Sequence, residues 1–278
     1  MTTVQIASLM MVASGALHAV VNAILKSGRD KRSSRALIDG FSAILILPAV
    51  FFVEPPHGAW GWLAASWLTH LVYLVCLIKA FEAADMSVAY PILRGVAPAL
   101  AAAAAVLVFH EPISVPVAAG VGLVSLGVLA VALGRHVTRA SLGWALATGA
   151  CIAIYTVIDA QGVRAAPSAF SYIVWVFITL GGGIAALFAL WRGPRFLISA
   201  RSEWRPGLIA GSLSIVTYGL ALSAFRLADT PRLAALRETS ILFATAIAVF
   251  VLREKLTAGR FAGIAAIATG AAVLIASG

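Results

Sequence analysis

Residues 87–109 read SVAYPILRGVAPALAAAAAVLVF, an apolar run with a single charged side chain, Arg94. A helix needs about 20 such residues to cross the hydrocarbon core of a bilayer. Nine further runs lie at residues 4–25, 36–53, 60–81, 114–134, 141–163, 170–191, 207–227, 231–252 and 258–277. The dyad alternation of a membrane β-barrel is absent. The sequence therefore predicts an all-α integral membrane protein with ten transmembrane helices.

The composition excludes several other classes of protein. Of the 278 residues, 62% are hydrophobic and only 11% are charged, against about 25% charged in soluble domains. That excludes a soluble globular domain, a disordered chain and a disulfide scaffold. The net charge of +9 is confined to short loops between spans, so we predict anionic lipid headgroups as its partner and no nucleic acid. Cys76 and Cys151 lie in apolar runs and are interpreted as small buried hydrophobic residues.

The basic residues predict an orientation in the membrane. With ten spans both termini share one side, and 15 of the 20 Lys and Arg residues then lie on the opposite side. Only Arg164, Arg226 and Arg232 lie on the side of the termini, and Arg94 and Arg237 lie within spans. Because loops rich in Lys and Arg stay in the cytoplasm, both termini are predicted to be extracytoplasmic.

The second half of the chain repeats features of the first in the same order. At offsets of 144 and then 143 residues, Ala80, Phe81, Asp85, Arg94, Glu111, Gly120 and Gly127 match Ala224, Phe225, Asp229, Arg237, Glu254, Gly263 and Gly270. We therefore predict two five-helix units, residues 1–136 and 137–278. Because five is odd, the second unit enters the membrane inverted, as in secondary transporters with a substrate site between the repeats.

These motifs resemble those of the drug/metabolite transporter superfamily, EamA type, over the whole chain. The resemblance rests on the Ala-Phe…Asp corner before the fourth span of each unit and on FHEPIS and LREKLT after it. It rests also on AAGVGLVSLG and FAGIAAIATG in the closing helices and on HAVVNAILKSG in the first span. It implies ten helices, a central cavity and transport of a small metabolite, and it leaves the substrate open.

Two buried arginines are the first candidates for a substrate site, because ionisable groups are costly in a bilayer. Arg94 and Arg237 either face the cavity and hold an anionic group of the substrate, or they stabilise the helix packing by pairing with Glu238 or with a backbone carbonyl. Pro98 cannot donate to the carbonyl of Arg94, so the fourth span either opens there or is simply kinked. Tyr90 shares the face of Arg94. We expect Arg94→Ala to weaken binding more than Arg237→Ala, because Arg237 has Glu238 beside it as a possible partner.

Other polar side chains could complete the site. Ser14, His18, Asn22 and Lys26 form a stripe on the first span, which either lines the cavity or bonds a neighbouring helix. We assign Lys26 to the cytoplasmic edge. The third span carries Ser66, Thr69, His70 and Tyr73, with His70 either a proton carrier or an interhelical hydrogen-bond partner. Tyr155 and Asp159 lie four residues apart on the sixth span, with Asp159 expected as a solvated helix-end carboxylate, and Thr217 and Tyr218 lie on the eighth.

The closing helices have a regular glycine spacing. Gly120 and Gly127 lie seven residues apart, as do Gly263 and Gly270, so each pair occupies one helix face and permits a close crossing. The crossing is either within the chain or in a homodimer, so the protein is predicted to be a monomer or a homodimer.

The sequence shows no nucleophile–base pair, no metal-binding cluster and no phosphate-binding loop. We therefore predict a non-enzyme without a cofactor or metal: a secondary transporter of an inner membrane that exports a small polar metabolite by alternating access. Two buried arginines against one deep carboxylate favour a substrate with an anionic group such as a carboxylate. Protons are the candidate coupling ion, carried by His18, His70 or Glu238. The alternatives are a passive facilitator or channel on the same scaffold and a drug-cation exporter, although the first span has no carboxylate for a cation.

Overall fold

The computed structural model describes residues 1–27, 31–131, 137–250, 253 and 257–278, and no strand occurs among them. Glu254 and the predicted loop residues Arg29, Arg135 and Lys255 lie outside the described residues, as do the last residues of the predicted spans 114–134 and 231–252. The α-helices are α1 (Thr3–Ser27), α2 (Lys31–Ile46), α3 (Trp60–Ala83), α4 (Met86–Phe109), α5 (Val115–Ala130), α6 (Arg139–Ala165), α7 (Ala169–Val176), α8 (Gly182–Arg192), α9 (Pro194–Leu227), α10 (Thr230–Leu236), α11 (Ser240–Phe250) and α12 (Ala258–Ala276).

The described residues contain eight helical segments long and apolar enough to cross a membrane. Two shorter apolar helices, Ala36–Phe52 and Val115–Ala130, occupy the places of the second and fifth predicted spans. The prediction of an all-α, multi-pass membrane protein is confirmed. The count of ten spans and the inverted repeat stay predictions.

Three spans contain a short stretch that is not α-helical. A 3₁₀ turn at Leu47–Phe52 follows α2 and has a proline in its first turn, where a missing N–H costs little. A π-helical turn at Phe177–Gly181 joins α7 to α8. A second 3₁₀ turn, Arg237–Thr239, joins α10 to α11. This last turn carries two of the predicted site residues and divides the ninth predicted span in its middle.

Helices α5 and α12 cross in antiparallel directions at their glycines. A Cβ atom added to Gly127 would lie 2.8 Å from the carbonyl oxygen of Gly263, and one added to Gly263 would lie 2.6 Å from that of Gly127. Gly120 and Gly270 face each other in the same way, at 3.2 and 2.9 Å. The glycines therefore serve a crossing within the chain, which was one of the two alternatives left open by the sequence.

We expect Gly127→Leu to destabilise the protein, because the new side chain must push the backbone of α12 away. Overpacking of this kind costs about 1–3 kcal/mol. Gly122→Leu is the matched control, since a Cβ atom added to Gly122, on the same helix, has no neighbour within 4 Å. The measurement is the melting temperature of each purified variant in detergent. An unchanged melting temperature for Gly127→Leu would contradict the close crossing.

One end of the bundle carries both chain termini, since a Cβ atom added to Gly278 would lie 3.3 Å from the Cβ of Val4. At this terminal end the carboxylate of Glu111, in the loop after α4, accepts four hydrogen bonds. The donors are Arg164 Nη1 at 2.6 Å, Gln161 Nε2 at 3.0 Å, and the backbone N–H and hydroxyl of Thr230, each at 2.8 Å. Glu111 thereby joins α4 to α6 and α10.

Two arginines at the terminal end bind the carboxyl ends of each other's helices. Arg164, in the last turn of α6, donates to the carbonyls of Phe225 at 2.9 Å and Ala228 at 2.8 Å, at the end of α9. Arg226, in the last turn of α9, donates to the carbonyl of Ala166 at 2.8 Å, just after α6. The last carbonyls of a helix lack partners within the helix, and these guanidinium groups supply them.

Arg232 binds a third helix end. Its guanidinium donates to the carbonyl of Leu274 and to the hydroxyl of Ser277 at 3.1 Å, and its Nε lies 3.0 Å from a carboxylate oxygen of Asp229. All three basic residues that the sequence places on the side of the termini are thus occupied by contacts inside the protein.

We expect both termini to be extracytoplasmic, because 15 of the 20 Lys and Arg residues are predicted on the opposite side. Alkaline phosphatase fused after residue 278 should be active, and a fluorescent protein fused there should remain dark. The same two reporters inserted in the predicted cytoplasmic loop 192–205 should give the opposite pattern. A fluorescent fusion after residue 278 would overturn the orientation.

Candidate functional site

A small cavity lies between α4, α6 and the broken span α10–α11. Its polar lining consists of Arg94, Thr156, Arg237 and Glu238. The rest of its lining is small or apolar, namely Ala97, Pro98, Ala101, Ile152 and Ala234. A space lined by apolar side chains with a few convergent polar groups is typical of a small-molecule site. Three of the predicted site residues, Arg94, Arg237 and Glu238, therefore meet at one cavity.

Arg94 and Glu238 form a buried ion pair across the cavity wall. Nε of Arg94 lies 2.9 Å from Oε2 of Glu238, and Nη2 of Arg94 donates to the hydroxyl of Ser240 at 3.1 Å. The two side chains are only 7% and 3% exposed. The sequence left Glu238 as a possible partner of either arginine, and the arginine that pairs with it is Arg94 and not Arg237. Consecutive residues of a helix point about 100° apart, so Glu238 reaches α4 instead.

The break in the helices that line the cavity lies at Arg237–Thr239 and not at Pro98. Helix α4 continues through both of its prolines from Met86 to Phe109, so the expected opening of the fourth span is wrong and the simple kink is the alternative that remains. At the 3₁₀ turn the hydroxyl of Thr239 donates to the carbonyl of Leu236 at 2.7 Å. A threonine hydroxyl that donates to a carbonyl of its own helix competes with the backbone hydrogen bonds there, and this competition bends the helix.

Helix α1 approaches this turn closely because it has a glycine there. A Cβ atom added to Gly15 would lie 3.0 Å from Oγ1 of Thr239 and 3.1 Å from the backbone nitrogen of Ser240. A larger residue would push α1 away from the segment that carries Arg237 and Glu238. Gly15 thus allows α1 to pack against the turn that carries Arg237 and Glu238, a role that nothing in the sequence pattern indicated.

Arg237 is the cavity arginine that is not paired with a carboxylate. Its guanidinium carbon lies 5.1 Å from the centre of the Tyr218 ring, an arrangement that gives a cation–π interaction. Within the part of the chain that the structure describes, its buried Nε has no hydrogen-bond partner. A guanidinium with an unused donor beside an open space can bind a carboxylate or a similar group through hydrogen bonds.

A second buried carboxylate lies behind Tyr218. Asp159 is 1% exposed, and its two oxygens accept hydrogen bonds from the hydroxyls of Tyr172, at 2.8 Å, and Tyr218. The expectation of a solvated helix-end carboxylate is therefore wrong. The residues near its end of α6 pack against α7 and α9, which bury it and supply both donors.

The remaining predicted aromatic residues form a cluster beside the cavity. The rings of His70 and Tyr155 stack with centres 4.1 Å apart, and the edge of Tyr73 meets Tyr155 at 5.7 Å. Nδ1 of His70 lies 2.9 Å from the carbonyl oxygen of Ser66 on its own helix. The hydroxyl of Ser66 lies 3.3 Å from the same nitrogen, so the contacts of Nδ1 lie within α3. Tyr90 lies 6.0 Å from the guanidinium carbon of Arg94, measured to the ring centre.

The polar stripe on α1 faces α9 at Ser14. The hydroxyl of Ser14 donates to the carbonyl of Thr217 at 2.7 Å, so at this residue the stripe bonds a neighbouring helix. His18 and Asn22 are half-buried further along the same helix. Neither is among the residues that line the cavity.

The comparisons with known proteins place the second half of the chain in a family. The EamA-like transporter family matches residues 139–276. The chain carries an EamA-like transporter domain. This match confirms the resemblance that the motifs indicated, and it identifies a family of transporters and not of enzymes. The EamA-like domain contributes Thr156, Arg237 and Glu238 to the cavity, and Arg94 comes from the preceding half.

Two further comparisons concern the whole chain. No curated protein matches the sequence. One solved crystal structure, described only as that of a protein, superposes with a TM-score of 0.71 at 15% sequence identity and covers 97% of this chain and 95% of the other. At that identity the likeness concerns the fold alone.

The sequence did not reveal several residues of the site. The position of Asp159 near the end of its span indicated a solvated carboxylate, and no local pattern pointed to Tyr172, because its partner lies on another helix. Ser240 and Thr156 gave no signal in a span rich in small residues. Among the described residues, no three His, Cys, Asp or Glu side chains come together in a group that could hold a metal ion.

Proposed function

We propose that this protein is a secondary transporter that moves a small polar metabolite with an anionic group across the inner membrane by alternating access, in the direction of export. The observation that carries the proposal is Arg237, which lines a cavity in an EamA-like transporter protein and has a buried donor without a partner. The anionic group of the substrate would lie on this guanidinium.

Arg237 supports this proposal better than Arg94. Arg94 already has a carboxylate at 2.9 Å and a hydroxyl at 3.1 Å, so a substrate would have to displace Glu238 to bind it. Arg237 offers its donors without such a displacement. The order expected from the sequence is therefore reversed, and we now expect Arg237 to contribute more to binding than Arg94.

Two inverted repeats of five helices form part of the proposal. The glycine contacts between α5 and α12 support it, because they are reciprocal under the predicted repeat. In the predicted repeat Gly120 corresponds to Gly263, and Gly127 corresponds to Gly270. The contact of Gly120 with Gly270 therefore corresponds to the contact of Gly263 with Gly127, and both contacts occur. A two-fold relation of this kind between the two units suits a transporter whose halves alternate in exposing a shared site.

The energy source is proposed to be a proton gradient, with His18, His70 and Glu238 as candidate carriers. Glu238 lines the cavity but is paired with Arg94, so its protonation would have to accompany separation of that pair. Nδ1 of His70 is bonded to a carbonyl, so only its other ring nitrogen is able to take up a further proton.

Transport by purified protein in liposomes tests the proposal. Liposomes loaded with one unlabelled compound are diluted into the same labelled compound, across amino acids, carboxylic acids, sugars, nucleosides and cationic dyes. Counterflow of a compound with an anionic group supports the proposal. Flux that shows neither counterflow nor dependence on a proton gradient indicates the passive facilitator or channel. Counterflow of the cationic dyes alone indicates the drug-cation exporter.

We expect Arg237→Ala to weaken binding of the transported compound by roughly 10- to 150-fold, because a hydrogen bond to a charged group contributes about 1.5–3 kcal/mol. Arg205→Ala is the control, since Arg205 is exposed and does not line the cavity. The dissociation constant is measured by equilibrium binding in detergent. Wild-type affinity in a folded Arg237→Ala variant would remove the main support for an anionic group.

A further inference from the structure

We propose that Asp159 sets the charge selectivity of the cavity, so that the substrate carries a cationic group as well as an anionic one. This inference rests on the proposed function, since it concerns what binds at Arg237. Nothing in the sequence pattern assigned a role of this kind to Asp159, which was expected to be solvated.

The contacts of Asp159 connect it to Arg237. Both of its carboxylate oxygens are held by tyrosine hydroxyls, from Tyr172 and Tyr218. The ring of the same Tyr218 lies under the guanidinium of Arg237, 5.1 Å from its central carbon. The carboxylate, the phenol and the guanidinium thus form a chain from α6 through α9 to the wall of the cavity.

A carboxylate that is 1% exposed is costly to keep charged without a compensating charge, since hydrogen bonds alone do not replace its hydration. No ion pair among the described residues includes Asp159. The cation that its contacts lead to is Arg237, which in turn has no carboxylate in direct contact. The negative charge of Asp159 and the positive charge of Arg237 therefore offset each other, with the ring of Tyr218 between them.

The charges around the cavity then sum to zero. Arg94 and Glu238 cancel as a direct pair, and Arg237 and Asp159 cancel at longer range. A substrate with net negative charge would be attracted by Arg237 and repelled by Asp159, because both act in a medium of low dielectric constant. A substrate with one anionic and one cationic group leaves the sum at zero and still places its anionic group on Arg237.

The alternative is that Asp159 only ties α6, α7 and α9 together through its two tyrosines. A stability measurement does not separate the two roles, because both predict a less stable variant when the carboxylate is lost. Selectivity between ligands of different charge does separate them. Only a role in charge balance predicts that the ratio of two affinities changes.

The test uses matched pairs of probes, each an α-amino acid and the carboxylic acid that lacks its amino group: alanine with propionate, and phenylalanine with 3-phenylpropionate. Dissociation constants are measured for wild type and Asp159→Asn in detergent. We expect wild type to prefer the amino acid of at least one pair. Asp159→Asn removes one negative charge, and we expect it to shift the ratio of affinities toward the carboxylic acid by about tenfold.

Two further variants keep the test decisive. Tyr172→Phe removes one hydrogen bond and keeps the charge of Asp159, so it should lower the melting temperature and leave the ratio unchanged. Arg237→Gln removes the opposing positive charge, so it should shift the ratio toward the amino acid. The result for Arg237→Gln reports on the proposed function, and if Asp159→Asn does not fold, Asp159→Ser takes its place.

The outcomes distinguish failure of this inference from failure of the proposed function. A ratio within twofold of wild type in folded Asp159→Asn, or in Asp159→Ser where Asp159→Asn does not fold, overturns the role of Asp159. A wild type that prefers the acid of every pair overturns it as well. If none of the four probes binds wild type and only compounds without an anionic group do so, the proposed function fails too.

Discussion

The Arg94→Met variant is expected to lose about 3–5 kcal/mol of stability, because it leaves the buried carboxylate of Glu238 without its cation. Nε of Arg94 and Oε2 of Glu238 lie 2.9 Å apart, and the two side chains are 7% and 3% exposed. Water therefore cannot replace the lost partner. The hydroxyl of Ser240, which accepts a hydrogen bond from Arg94, loses its donor in the same change.

The double variant Arg94→Met, Glu238→Met is the decisive companion. Apolar residues of similar volume often replace a buried ion pair at little cost, so the double variant should be more stable than Arg94→Met alone. The measurement is the unfolding free energy in mixed micelles for wild type, both single variants and the double variant. Additive losses would show that the two side chains do not stabilise each other.

The Glu111→Ala variant is expected to lose about 3 kcal/mol, toward the upper end of what hydrogen bonds to a charged group contribute. It removes the acceptor of four hydrogen bonds and leaves the guanidinium of Arg164 and the backbone N–H of Thr230 without it. The side chains of Arg164 and Glu111 are 27% and 12% exposed, so water offsets only part of the loss.

Glu82→Ala is the matched control for Glu111→Ala. Glu82 also forms an ion pair, with Lys79 at 3.0 Å, but the two side chains are 50% and 51% exposed. Exposed pairs of this kind contribute little, so the melting temperature should hardly change. A Glu111→Ala variant as stable as Glu82→Ala would show that the network at the terminal end does not stabilise the fold.

The class of fold could be predicted from the sequence because its signal is local. Each apolar run is long enough to identify a helix by itself, and the glycine spacing predicts a close crossing before the partner helix is known. Gly120, Gly127, Gly263 and Gly270 do lie at such a crossing. Arg94, Arg237 and Glu238 could be selected for a related reason, since a charge within an apolar run stands out whatever surrounds it.

The sequence could not decide which of the two arginines pairs with Glu238, because that depends on how helices distant in the chain rotate against one another. Glu238 follows Arg237 in sequence and yet binds Arg94. Asp159 lies near the end of its predicted span, where a carboxylate is ordinarily solvated, and only the packing of α7 and α9 buries it. The sequence left open whether the fourth span opens at Pro98 or is only kinked there, whereas the break in the helices that line the cavity lies next to Thr239, whose hydroxyl donates to a carbonyl of its own helix.

The crossing of α5 and α12 also limits how the protein can move. At this crossing the two backbones approach each other closely, and the side chains of Leu274 and Val124 lie directly against Gly120 and Gly270, so neither helix can slide along its partner without a steric clash. The two helices therefore behave as one rigid body, to which each half of the chain contributes its last helix. Any rearrangement that exposes the cavity to one side and then to the other has to move the remaining helices relative to this rigid pair of helices.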